Sequence, residues 1–300
     1  MSLAMTADRR NALTALTLAG LTWGLTIPLS KIAMGWLAPL WLTVARFGAA
    51  AAVLALVARR GTLRPALSWP VAGWGALFYG AVVGVQNVGI AMTSVSHGAL
   101  ICGAVPVFVA LVALAAGHGS AGPMAWSGFA IAVAGVGLVA GGGGGASPVG
   151  DALVLAAAGL SAFYVVAQPA VLAGRDPVAV TAVQMAAGAL AVLPLAGGFE
   201  GVEGLASAPS PGVAAAFVAL AGVGSVFPFA LYAYAQKRVE PEVAGAFVNL
   251  EPLVGAAIGA LAFGDPFGPA QLLGAAAIVG GILLSVDPPR RGGGPVVGAA

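Results

Sequence analysis

Residues 98–116 read GALICGAVPVFVALVALAA, a run without one charged side chain and with a single proline, Pro106. As an α-helix such a run spans close to the thickness of a bilayer's hydrocarbon core, about 30 Å. A transmembrane β-strand needs only about 10 residues and alternates in polarity, which this run does not do. Nine further windows read the same way. With this one they predict ten helices at roughly 11–34, 38–58, 71–92, 98–116, 123–141, 151–172, 178–197, 212–235, 242–263 and 267–286.

Composition agrees. Charged residues make up 7% of the 300, against about 25% in soluble domains, and 60% are apolar. There are 46 Gly and 20 Pro, and the mean hydropathy is +1.01. A water-facing shell cannot be assembled from so few polar side chains. That excludes a cytosolic enzyme, a nucleic-acid binder and a disordered chain, and leaves an all-α polytopic membrane protein. Arg9 and Arg10 before an apolar run mimic a signal peptide. The run continues past Trp23 and more spans follow, so it reads as a first span that is kept. The one cysteine, Cys102, excludes an internal disulfide.

Basic residues orient the chain. With the N-terminus inside, Arg9, Arg10, Arg59, Arg60, Arg64, Arg175, Lys237, Arg238, Arg290 and Arg291 all fall on the cytoplasmic side. Lys31 and Arg46 lie within helices, and the acids Glu200, Glu203 and Asp265 fall outside. The expectation is a multi-pass protein of the plasma (bacterial inner) membrane with both termini cytoplasmic.

The opening run has a counterpart. A shift of 146 residues lays Pro106 on Pro252, Gly128 on Gly274 and Gly135 on Gly281. Nearer the start the shift is 138–139, laying Gly20-Leu21-Thr22 on Gly159-Leu160-Ser161 and Pro39 on Pro177. Two five-helix repeats follow, 1–146 and 147–290, with a disordered tail at 291–300. Five is odd, so the second copy enters from the opposite face. This inverted-topology repeat is an architecture of secondary transporters, with the solute site near midplane between the halves.

The segment Asn249-Leu250-Glu251-Pro252-Leu253-Val254-Gly255-Ala256, with Phe263-Gly264-Asp265 and Gln271-Leu272-Leu273-Gly274, resembles the end of the EamA-type repeat of the drug/metabolite transporter superfamily. Val105-Pro106-Val107-Phe108-Val109-Ala110 with Gly128 and Gly135 resembles the first copy, and Trp23-Gly24 its opening. The first copy departs from the pattern: it lacks the Glu before Pro, and Gly119 stands where the second has Asp265. The resemblance covers nearly the whole chain. It implies ten helices, cytoplasmic termini and export of small metabolites, amino acids or drugs, with a YddG-like amino acid exporter as the most similar subtype. It also implies that the first four helices of each half surround a cavity, while the fifth and tenth pack outside.

Ionisable side chains inside spans are costly and tend to face protein or water. Three are candidates: Glu251 for proton coupling or a solute ammonium, Arg46 for a solute carboxylate, and Lys31, which also reads as snorkelling to the interface. An Arg46–Glu251 ion pair is one way for the first two to be partnered. Polar and aromatic stripes supply the remaining substrate-binding candidates: Trp23, Tyr79, Gln86, Tyr164, Gln168, Tyr232 and Asn249. Tyr79 and Gln86 are seven apart and Tyr164 and Gln168 four apart, spacings that share a helix face. Any one of them also reads as a helix–helix hydrogen bond or an interfacial aromatic.

Gly117-x-Gly119-x-x-Gly122 matches a dinucleotide fingerprint but follows no strand, and His97 and His118 fall at opposite faces, so no cofactor or metal is expected. The reading is a secondary transporter, not an enzyme, exporting aromatic or other neutral amino acids or similar metabolites by alternating access. Its partners are a small solute and the bilayer, with protons a candidate coupling ion and no nucleic acid. Drug or cation efflux and transport of sugars or phosphorylated metabolites are alternatives within the class. An intramembrane enzyme or a channel are alternatives outside it.

Overall fold

A computed structural model describes residues 7–59, 61–117, 122–141, 147–202, 205, 208–239, 244, 247 and 250–285. The described residues are helical apart from connections and one isolated bridge, Leu37 with Leu205. Among the described residues, seven helices are long and apolar enough to cross a membrane: α1 (Asp8–Ala33), α2 (Pro39–Val57), α3 (Trp69–Met92), α4 (Val95–Ala115), α6 (Pro148–Leu172), α7 (Pro177–Glu200) and α8 (Pro211–Gln236). Three more apolar helices, α5 (Pro123–Gly141), α9 (Leu250–Ala262) and α10 (Pro269–Ser285), stand where the fifth, ninth and tenth spans are expected. The expected tail at 291–300 lies outside the described residues, as does the glycine run at 142–146.

Proline sets many of the boundaries. Pro39, Pro123, Pro148, Pro177, Pro211 and Pro269 each open a helix, where a missing N–H costs nothing. Ser94, Ser147, Asp176 and Ser210 cap the first turns of α4, α6, α7 and α8 by accepting from a backbone N–H three residues on. Prolines inside spans have the opposite effect, because they strand the carbonyl four residues earlier. Pro28 strands the carbonyl of Gly24, where α1 breaks. Pro106 strands that of Cys102, just before the break at Gly103 and Ala104 in α4. Pro228 strands that of Gly224, inside the π-helical turn Gly222–Val226 of α8.

Small residues bring the helices together. A side chain at Gly24 would meet Val254 Cβ at 2.3 Å, and one at Gly20 would meet the Phe247 carbonyl at 2.4 Å. Helix α1 therefore lies directly on the chain leading into and through α9. The pair α5–α10 is built likewise: a Cβ at Gly281 would meet the Gly128 carbonyl at 2.4 Å, and one at Gly135 the Gly274 carbonyl at 2.7 Å. Residue 128 adjoins 281 while 135 adjoins 274, so α5 and α10 run antiparallel.

The two ends of the bundle differ in charge. Lys31, Asp151, Glu200 and Asp265 cluster with the connections after α1, α3 and α9. Arg59, Arg64, Arg175 and Lys237 lie at the other end. There Ala58 and Leu63 pack with Leu172, and the Lys237 ammonium donates to the Arg175 carbonyl. We call these the acidic and basic ends.

Candidate functional site

Seven helices converge on one cavity of about 810 Å3, measured with its opening. That figure includes space open to solvent; the enclosed part that takes water-sized groups is about 110 Å3, below the roughly 300–1,000 Å3 of drug-sized ligand sites. Trp23 and Thr26 of α1, Arg46 and Phe47 of α2, Phe78 and Gln86 of α3, Cys102 and Val105 of α4, Ser161 and Tyr164 of α6, Phe229 and Tyr232 of α8, and Glu251 of α9 line it. Helices α5 and α10 supply no lining residue among those described, and neither does α7.

Six of the lining residues are aromatic: Trp23, Phe47, Phe78, Tyr164, Phe229 and Tyr232. Phe78 stacks on Tyr164 with ring centroids 3.9 Å apart and planes 7° apart. Trp23 sits edge-on to Phe229 at 5.0 Å and to Tyr232 at 4.9 Å. The Trp23 indole N–H and the Tyr232 hydroxyl are buried without a hydrogen-bond partner among the described residues. Buried donors without partners are uncommon in finished protein interiors, and both residues border the cavity.

Arg46 is 5% exposed and is anchored by the break in α8. Its Nη2 donates to the Gly224 carbonyl at 3.0 Å, the carbonyl that Pro228 leaves without its helical donor. Its Nε donates to Ser225 Oγ at 2.6 Å, and that hydroxyl in turn donates to the Leu220 carbonyl at 2.9 Å. The Nη1 amine makes no hydrogen bond to a described residue. The Glu251 carboxylate, half-buried on the wall, likewise has no hydrogen-bond partner among the described residues. Each group feels the charge of the other, yet no ion pair within 4.0 Å joins them. The pair envisaged from sequence is therefore absent as a direct contact: Arg46 is turned toward α8, and the cavity contains the space between the two charges.

Among the sequence candidates, Trp23, Gln86, Tyr164 and Tyr232 line the cavity with Arg46 and Glu251. Tyr79 and Gln168 do not. Tyr79 is fully buried behind the wall, its hydroxyl 3.1 Å from that of Tyr164. The cause is local: Ala76–Val82 is π-helical, which adds residues per turn and rotates the face. Phe78 takes the lining position instead. Gln168 is occupied by Gln184, each amide donating to the other's oxygen at 3.0 and 2.9 Å, and the Gln184 oxygen also accepts from Tyr164 at 3.2 Å. Lys31 lies away from the cavity and donates to the carbonyls of Ile90, Ala91 and Thr93 at 2.8, 3.0 and 2.7 Å. It thereby satisfies the C-terminal carbonyls of α3. Asn249 lies outside the described residues.

Sequence reasoning passed over Phe47, Phe78 and Cys102, which are ordinary apolar positions in apolar runs. It also passed over a buried polar cluster at the acidic end. There Asp151 accepts from the Thr93 hydroxyl and lies 3.1 Å from His97 Nδ1. The thiol of Cys102 sits 3.1 Å from Gln86 Nε2.

The model of the EamA-like transporter family matches residues 10–141 and again 148–287, so the chain belongs to that family: it is a multi-pass membrane protein and a transporter of small solutes. No curated protein matches it. A solved structure described as "Crystal structure of protein" aligns with a TM-score of 0.69 at 22% identity, covering 92% of this chain and 96% of that one. At that identity the likeness concerns the fold.

Proposed function

We propose that this member of the EamA-like transporter family exports amino acids, aromatic or other neutral ones, or similar small zwitterions across the plasma membrane by alternating access. The observation that carries the reading is a cation and an anion on one aromatic wall, each with unspent hydrogen-bonding capacity. Arg46 offers Nη1 to a solute carboxylate, a charge-assisted contact. Glu251 offers an acceptor to a solute ammonium. Trp23, Phe78, Tyr164, Phe229 and Tyr232 supply the surface on which an apolar or aromatic side chain rests.

Alternating access is supported by the antiparallel contact of α5 with α10, the geometry that two inverted five-helix copies bring about. The separation of acidic from basic ends supports the expected orientation with both termini cytoplasmic. Protonation of Glu251 would couple transport to the proton gradient. Efflux of cationic drugs is the second reading, favoured by Glu251 among aromatic rings and opposed by Arg46 on the same wall.

The test is uptake and counterflow in proteoliposomes against a panel of amino acids, their methyl esters and N-acetyl derivatives, and cationic dyes. Saturable counterflow of free amino acids, lost on blocking either terminus, is expected. Transport of dyes and esters alone would replace this reading with the second.

A further inference from the structure

Three carboxylates at the acidic end reach from the later part of the chain to the earlier part. The Glu200 carboxylate accepts from the backbone N–H groups of Leu40 at 2.9 Å and Trp41 at 3.0 Å, in the first turn of α2. The Trp41 indole donates to the Gly201 carbonyl at 2.7 Å. Asp265 Oδ2 accepts from the Ser96 N–H at 2.7 Å, in the first turn of α4. Asp151, 5% exposed, takes the Thr93 hydroxyl on one oxygen and faces His97 Nδ1 with the other. One part of the chain supplies anions, and the other supplies helix starts, whose first N–H groups lack partners within the helix and attract negative charge.

The helices held in this way are cavity walls. Helix α2 carries Arg46 and Phe47 to the cavity, and α4 carries Cys102 and Val105. Bonds of a carboxylate to backbone N–H groups are about twice as strong as neutral ones. Three of them, from Glu200 and Asp265, pin the starts of α2 and α4 against the end of α7 and the loop after α9, while Asp151 of α6 holds Thr93 and His97 through their side chains. The fit is close: a side chain at Gly259 would meet Ser96 Oγ at 2.4 Å and Asp265 Oδ2 at 2.8 Å. The ammonium of Lys31 is bonded to the α3 carbonyls beside this cluster.

We propose that Asp151, Glu200 and Asp265 together form the gate at the acidic end, closed in this structure, and that their parting from Thr93–His97, α2 and α4 is the step that opens the cavity there. The inference rests on the alternating-access reading but not on the identity of the solute.

The chain's own Cys102 is the reporter, because it is the only cysteine and lines the cavity. Its reaction with a membrane-impermeant maleimide is followed from each face of oriented proteoliposomes. Glu200→Gln combined with Asp265→Asn is expected to speed labelling from the acidic end by about tenfold and to slow it from the basic end. Asp151→Asn is expected to do the same. Faster labelling from both faces would mean a loosened fold and would overturn the proposal, as would unchanged rates. If solute trades Cys102 reactivity between faces while the variants do not, the gate falls and alternating access stands. If nothing trades it, both fall. Should the carboxylate variants fail to insert, Ser96→Cys with Asp265→Cys in a Cys102→Ala background supplies the reverse test. Joining the two thiols with a short bifunctional reagent must arrest counterflow, and undiminished counterflow refutes the gate.

Discussion

Arg46 shows how a residue that is costly in a membrane is kept in place. Its acceptors come from a flaw in another helix: without Pro228, the Gly224 carbonyl would be spent inside α8. Pro228→Ala is therefore expected to return that carbonyl to the helix and free the guanidinium. KM should rise several-fold with little change in the thermal midpoint, read by counterflow and thermal unfolding. Ser225→Ala leaves the buried Nε without its acceptor and should cost about 1–3 kcal/mol of stability. Lys31→Met strips three carbonyls of their donor and should lower stability by a similar amount, while KM stays put because Lys31 lies off the cavity. Glu251→Gln is expected to flatten the pH profile of counterflow in liposomes. A profile identical to that of the parent would remove the proton role.

At the scale of the element, how much could be read from sequence depended on whether a helix was regular. Uniform apolar length gave away the spans, and their bounds agree within a few residues wherever Pro opens a helix. The seven-residue spacing of Tyr79 and Gln86 misled because the π-helical stretch between Gly75 and Val83 turns the face, and nothing in ALFYGAV announces it. Gln168 misled for another reason. Its helix is regular, but its partner Gln184 is on α7, and a pairing between distant helices leaves no mark on either one's periodicity. Glu200 and Asp265 were legible only as acids on one side, since their acceptor role depends on which helix starts face them. Close approach of helices is the property most open to test here. Gly24→Val places atoms where Val254 already stands, and should cost about 1–3 kcal/mol by overpacking. It should also weaken solute binding, because α9 carries Glu251 past that contact.

Across the whole molecule, the duplication was visible as Pro106 over Pro252 and Gly128 over Gly274, but the alignment says only which positions correspond. In space the corresponding residues do not meet each other; each meets the other's counterpart, Gly128 with Gly281 and Gly135 with Gly274. A reporter placed between Gly141 and Pro148 is expected on the face opposite to one fused at the C-terminus, as inverted copies require. Detection of both on one face would dismantle the two-repeat arrangement.

That crossed glycine contact also bears on ancestry. If one five-helix segment first worked as a pair of identical chains, a single mutation at position 128 would have struck the seam twice, at both symmetry-related places. Fusion halves that penalty, for a change at Gly128 now touches Gly281 alone and Gly274 stays free to remain glycine. The seam between α5 and α10 would then be a place where tethered copies can diverge one side at a time, and its four glycines still correspond in pairs between the two copies.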